Sequence, residues 1–329
     1  MEPEYTNYLA SLHAKLVTPD DVICDVIKES MRLDLATKIR IVSGEVNEVY
    51  DITLTNHDHV ILRISRSGEN DFVQEVWALG QVIKVGVPVP EILSISHRKL
   101  AEGILSFCVM KKIDGEPLER GKIDFNALSE VSRKAYITNA GEILSRIHSI
   151  KTKGYGWIIG DGKAEFDTSS QIIDKALMKE ERLYDIAGRW DFEKSKIDAA
   201  LKIVDGFRTR YSDAIPRLNH GDYGHKHFMV KDGIIVAILD WGGVRSDTPV
   251  YDFMIWDYWF GDFIPTAWLK EGYKDKELFN DGFEDMLHTL RVMKGIEVID
   301  WYDSQNYKQM VEKLFAKLTS DLNYFAHGG

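Results

Sequence analysis

The sequence predicts an α+β fold in two parts, an antiparallel sheet near the N-terminus followed by a larger and mostly helical region. Three observations carry this. Short apolar runs broken by turn residues fill most of the chain before residue 113, the pattern of strands joined by tight connections. After about residue 114 the apolar spacing lengthens to helical periodicity. Between the helical segments lies a polar stretch, Asn219 to Asp252, with an aspartate on each side of an apolar hairpin.

Composition bounds the function. The chain has 329 residues and a net charge of −11, which argues against nucleic acid as the main partner, because phosphate backbones select clustered Lys and Arg. The charge is compatible with a cationic small molecule. The two cysteines, Cys24 in a helical pattern and Cys108 in an apolar run, suggest free thiols in a reducing compartment. The N-terminal residues lack the basic and apolar regions of a secretory signal, and no apolar run is long enough to span a bilayer. The expectation is a soluble, cytoplasmic protein.

In chain order, Thr18-Pro19-Asp20-Asp21 reads as a helix start with Thr18 as the capping hydroxyl, and the helix runs to about Leu35. Three strands follow, Ile39 to Val42, Val49 to Leu54 and Val60 to Ile64, forming an antiparallel meander. A helix is expected from about Asn70 to Val85. An extended Pro88-Val89-Pro90 segment leads to strands near Ile92 to Ile95 and Ile104 to Met110. Asp114-Gly115-Glu116-Pro117 is turn chemistry, and the boundary between the two parts falls there, giving 1–113 and 114–329.

The second part opens with a helix from about Phe125 to Ile150, then a glycine-marked loop over 154–162. Two further helices are expected over Ser169 to Ala187 and Glu193 to Tyr211. A helix begins near Tyr251, and Tyr258 to Phe325 is helical by pattern.

The stretch from Asn219 to Asp252 holds the chemistry. Asp222 follows His220-Gly221; Phe228 to Val230 and Ile234 to Leu239 flank a Lys231-Asp232-Gly233 turn; Asp240 comes next. Antiparallel pairing brings Asp222 and Asp240 to the same end of the hairpin, suited to one acid orienting a nucleophile and another holding a metal. His225 and His227 form a His-x-His pair, but no Cys lies nearby to complete a zinc site.

His220-Gly221-Asp222 with Ile238-Leu239-Asp240-Trp241 resembles the aminoglycoside phosphotransferase family, and the layout around Trp241 to Asp252 is similar to hygromycin-type antibiotic kinases. The resemblance implies a bilobal, protein-kinase-like fold, with a nucleotide-binding lobe over 1–113 and a catalytic and substrate-binding lobe over 114–329. It implies that Asp222 is the catalytic base and that Asp240 holds Mg2+ on the phosphates of ATP or GTP. The family has Asn where this chain has His227, which makes His227 the second expected metal ligand and leaves one or two ions open.

Arg63 stands where kinases place a phosphate-binding Lys, with Glu75 as its helix partner; a guanidinium fork can bridge phosphate and carboxylate together. By the same resemblance Ser43 and Asn47 would contact phosphate, and Met110 with Lys112 would flank the purine. In the C-terminal third, acids interleaved with aromatics, Trp256, Asp257, Asp262 and Glu271, are the expected contacts to a cationic, hydroxylated substrate. The reading is a kinase of an aminoglycoside-type hydroxyl. The alternatives are a kinase of a macrolide or small metabolite, or a kinase-fold binding module without turnover, for which His227 and Arg63 are the supporting departures.

Overall fold

The computed structural model describes residues 9–42, 47–66, 68, 72–101, 103–119 and 123–326. Ser43 lies outside the described residues. The first part is a five-stranded antiparallel sheet, β1 (Leu35–Ile41), β2 (Glu48–Leu54), β3 (His59–Ser65), β4 (Ile92–Leu100) and β5 (Gly103–Lys111), in the order β1-β2-β3-β5-β4. Helix α1 (Asp20–Met31) covers one face, packing Ile23, Val26 and Ile27 onto Ile52, Leu62 and Phe107.

The other face of the sheet fronts a cleft, and strand alternation decides what it presents. In β3, Val60, Leu62 and Ile64 are buried under α1, so Ile61 and Arg63 point the opposite way, into the cleft. Arg63 is therefore not an interruption of an apolar run. It sits on the polar side of a central strand paired on both edges.

Several expected boundaries move. The first helix stops at Met31, because Arg32 turns into the left-handed region at φ 56° and β1 begins three residues later. Thr18 does not cap it; its hydroxyl donates to Glu48 at 2.8 Å, since that buried carboxylate needs donors more than an exposed helix end does.

Helix α2 (Val73–Val82) joins the two lobes. Ala78, Leu79 and Val82 belong to the larger core, together with Leu118 and Phe125, and Trp77 packs so closely on Gly162 that a β-carbon there would lie 2.3 Å from the indole. Glu75, on the first turn of α2, is thus carried at the lobe junction.

The larger lobe is built on α3 (Glu130–His148), α4 (Ser169–Leu177), α5 (Glu180–Arg189), α6 (Lys194–Gly206), α7 (Arg208–Ser212), α8 (Val250–Phe260), α9 (Thr266–Gly272), α10 (Phe283–Ser304) and α11 (Lys308–Ala326). Ser129 caps α3, which shortens the helix expected from Phe125. The two helices expected over 169–211 are four. The glycine-marked loop is a hairpin, β7 (Tyr155–Ile159) and β8 (Lys163–Phe166), in a four-stranded sheet with β9 (Arg217–Asn219) and β12 (Arg245–Asp247), ordered β8-β7-β12-β9.

A small sheet, β11 (Ile234–Ile238), β10 (Phe228–Lys231) and β6 (Glu116–Pro117), lies at the cleft floor. Asp232 and Gly233 have φ of 50° and 85°, the paired positive values of a type I′ hairpin turn. Gly115 is pressed against Val230 and Val236 of this hairpin, where a β-carbon would approach to 2.9 Å. No helix among the described residues is long and apolar enough to cross a membrane.

Candidate active site

The hairpin register pairs Phe228 with Ile238, so the chain leaves β11 beside the point where it entered β10. Asp222 and Asp240 emerge together, and ligand atoms of Asp222, His227 and Asp240 all lie within 4.8 Å of one another. His227 Nε2 is 2.9 Å from Asp222 Oδ2, and its Nδ1 is 3.9 Å from Asp240 Oδ2. Lys226 Nζ stands 3.0 Å from the same Asp222 oxygen. Burial acts to raise the Asp222 pKa, but the His227 hydrogen bond and the Lys226 charge outweigh it and hold the carboxyl far below its ordinary range. Asp240 is also held low: burial is overcome by His227 and Arg63.

Buried groups fix the loop that bears Asp222. Asp252, wholly buried at the start of α8, accepts from the His220 and Gly221 backbone N–H groups at 2.8 Å each, and His148 Nε2 lies 3.1 Å away. Asp247 is equally buried and is occupied by Arg245, by the Tyr211 hydroxyl and by the Thr248 N–H. His220 Nδ1 accepts from the Asp222 N–H at 3.3 Å, so Nε2 carries the proton toward the Leu239 carbonyl at 3.0 Å. Burial lowers the His220 pKa, which favours this neutral form.

Asp240 itself adopts φ 63°, a left-handed conformation that non-glycine residues take at a cost of roughly 1–2 kcal/mol. Its side chain remains half exposed toward the cleft.

Across the cleft, Arg63 and Glu75 form a buried ion pair at 2.5 Å, and the second guanidinium nitrogen of Arg63 lies 3.7 Å from Asp240. Burial pushes the Glu75 carboxyl up; Arg63 opposes that, and the Trp241 backbone N–H adds a hydrogen bond. Glu75 thereby ties α2 to the residue after Asp240.

Asn47 and Met110 line the same cavity. Lys112 lines it too, but its ammonium is engaged by Asp51 at 2.6 Å.

The four expected substrate contacts lie outside it. Trp256 is completely buried and donates to the Ile264 carbonyl, because α8 is apolar on all sides and sinks into the core. Asp257 is held by Arg291 at 2.5 Å and by the Thr266 hydroxyl. Asp262 and Glu271 are exposed outside the cavity, facing Lys317 and Lys134. Lys226 and the Trp241 N–H were not anticipated in their present roles. Only Lys226 left a readable trace, four residues from Asp222.

The cavity is one continuous cleft of about 1800 Å³ running from the sheet face past Asp222 into the helical lobe. A small-molecule phosphotransferase with a kinase-like fold is the class that these lobes and this cleft define. The model of the phosphotransferase enzyme family, APH, matches residues 38–284, and the chain belongs to that family.

Solved structures agree on the fold. The apo form of a thermostable mutant of aminoglycoside phosphotransferase APH(4)-Ia is 14% identical, with a TM-score of 0.73 over 93% of this chain and 100% of that one. A ternary complex of the same enzyme with AMP-PNP and hygromycin B has the same identity and score, over 92% and 97%. The GDP complex of aminoglycoside 2′-phosphotransferase-IIIa is 16% identical, with a TM-score of 0.68 over 93% and 99%. No sequence among the curated proteins matches the chain.

Proposed function

We propose that this protein transfers the γ-phosphate of ATP or GTP to a hydroxyl of a small molecule, with Asp222 as base and Asp240 as the principal ligand of Mg2+. The observation that carries the reading is the convergence of Asp222, His227 and Asp240 within 4.8 Å, opposite the Arg63–Glu75 pair. The nucleotides in the neighbours, AMP-PNP and GDP, support a purine triphosphate donor.

Asp240 and His227 fit a divalent cation. A half-exposed carboxylate held ionised, with an imidazole nitrogen nearby, leaves room for phosphate and water oxygens to complete the coordination that Mg2+ prefers. When bound, the ion neutralises charge on the β- and γ-phosphates. The remaining work belongs to the chain. Arg63, fixed by Glu75, presents its fork to phosphate oxygens. Asn47, Met110 and Lys112 border the nucleotide end.

Asp222 accepts a hydrogen bond from the acceptor hydroxyl and aligns it in line with the γ-phosphorus. The acceptor oxygen bonds to that phosphorus as the bond to the bridging oxygen breaks. The diphosphate leaves, and the hydroxyl proton passes to Asp222. A carboxylate of low basicity suits this, because the proton is released late, when the developing phosphate ester has made it acidic.

A donor of this kind and two free thiols suit a cytoplasmic protein. The test is Mg2+-dependent turnover with ATP and GTP separately over a panel of hydroxylated acceptors. A product one phosphate heavier, absent with Asp222→Asn, supports the kinase. Tight nucleotide binding with no phosphorylated product from any acceptor favours a binding module. The expected aminoglycoside acceptor rested on the hygromycin-kinase-like layout of Trp241 to Asp252 and on Trp256, Asp257, Asp262 and Glu271, and those last four residues do not line the cavity.

A further inference from the structure

The cleft continues past Asp222 into a chamber walled by the β7–β8 hairpin and helices α4, α8, α10 and α11. Aromatic side chains dominate it. The two most exposed tryptophans among the described residues, Trp157 and Trp301, and the most exposed phenylalanine, Phe263, all line this cavity, at 40, 41 and 54% exposure. Trp259, Met293 and Met310 line the cavity as well. Leaving such groups open to water is unfavourable, and a cavity that several of them line is a candidate binding surface.

The carboxylates of the chamber are already answered by the protein's own cations. Glu165 is paired with Lys175 at 2.7 Å. Asp300 is held by Lys179 at 2.7 Å and by Arg182 at 3.2 Å, and Glu297 lies 3.3 Å from Lys294. At the mouth, Glu119 faces His225 at 3.6 Å. A polycationic sugar would have to displace these ammonium groups to gain its ion pairs, and would lay a strongly hydrated body against indole and thioether surfaces.

Resting on the kinase reading, we propose that the acceptor is a hydroxylated molecule with a broad apolar face and little net charge, and not a polycation. Trp157, Phe263 and Trp301 cover its apolar face while one hydroxyl reaches Asp222. The chamber's carboxylates, already paired with Lys175, Lys179, Arg182 and Lys294, give no net attraction for multiple amines.

The experiment uses the full chain with Mg2+ and ATP or GTP. Nucleotide binding is measured first by calorimetry. Phosphorylation is then followed with a weakly charged hydroxylated macrocyclic lactone, and with hygromycin B and gentamicin as polycations, between about 50 and 300 mM salt. The expected result is phosphorylation of the lactone with a KM that hardly changes with salt. Trp301→Ala and Phe263→Ala should each raise that KM by about tenfold while leaving nucleotide affinity alone. Both side chains are exposed, so the variants fold.

Phosphorylation of the polycations alone, with a KM that climbs steeply with salt, overturns the acceptor class and leaves the kinase intact. Nucleotide binding without lactone turnover or lactone-induced thermal stabilisation also overturns it. Failure to bind nucleotide at all strikes the kinase reading itself.

Discussion

Gly221 and Gly243 bring the loops that bear Asp222 and Asp240 into backbone contact: a β-carbon on Gly221 would lie 1.8 Å from the Gly243 carbonyl oxygen. Gly221 also has φ 82°, so no other residue suits it on either count. Gly221→Ala is expected to cost about 2–5 kcal/mol and to abolish turnover, because the two loops must separate. Gly243→Ala, whose nearest neighbour would be at 3.4 Å and whose φ is not positive, is the milder control. Thermal melting and turnover of both variants check the difference.

Asp252 feeds both carboxylate oxygens to the His220 and Gly221 N–H groups. In Asp252→Asn one oxygen becomes an NH2 group facing a buried N–H donor. The loss is expected to be about 2–4 kcal/mol, since a buried donor loses its partner and a second donor is forced against it. Because this bond holds the residue preceding Asp222, kcat should fall more than nucleotide affinity. Parallel measurement of melting, nucleotide binding and kcat tests that ordering.

What could be read from the sequence was local chemistry. The Asp232-Gly233 turn and the alternation in β3 are written in adjacent residues, so the hairpin and the side to which Arg63 points follow from them. The pairing of Arg63 with Glu75 came from the kinase resemblance, which sets a helix carboxylate opposite this strand position.

The β7–β8 hairpin escaped because its strands are short, glycines precede and separate them, and β7 is completed by β12, nearly ninety residues on. The acids of the C-terminal third misled because charge signals exposure without saying which cavity is nearby. Trp256 did carry a warning: the segment Val250 to Phe260 is apolar on every side, the mark of a helix with no solvent face.

Arg63 and Glu75 form a buried pair whose two halves are unequal to lose. Arg63→Ala leaves Glu75 buried and uncompensated, and is expected to cost about 3–5 kcal/mol. Arg63→Met with Glu75→Leu removes both charges and should recover most of that stability while nucleotide affinity stays low. Recovery of nucleotide affinity in the double variant would show that the pair serves the fold alone. Denaturant melts and nucleotide titrations on the single and double variants separate the two roles.

Cys108 lies buried behind the same pair, and burial first, then the Glu75 charge, pushes its thiol up to about 12, while Cys24 is exposed. Reaction with a disulfide reagent requires the thiolate, so the reactive fraction of Cys108 at pH 8 is of order 10⁻⁴ and grows only as pH rises toward that value. One thiol should react rapidly in the native protein at pH 8 and two in denaturant. A second fast thiol in the native state would show that the region around Glu75 opens readily.

The Lys226 ammonium lies 3.0 Å from Asp222 Oδ2 and faces the cleft, about a third exposed. As a surface-accessible pair it adds roughly 0–1 kcal/mol to stability, so Lys226→Ala should melt like the parent. In the proposed reaction, its position beside Asp222 sets a positive charge near the transferred phosphoryl group. Loss of that charge from a preorganised site is expected to lower kcat about 10- to 100-fold with little change in nucleotide affinity. Lys226→Arg should restore part of the rate, because charge and not shape is the working element. An unchanged kcat in Lys226→Ala would confine the residue to holding Asp222 in the absence of substrate. A loss that Lys226→Arg fails to repair would mean that the compact ammonium is needed at that spot.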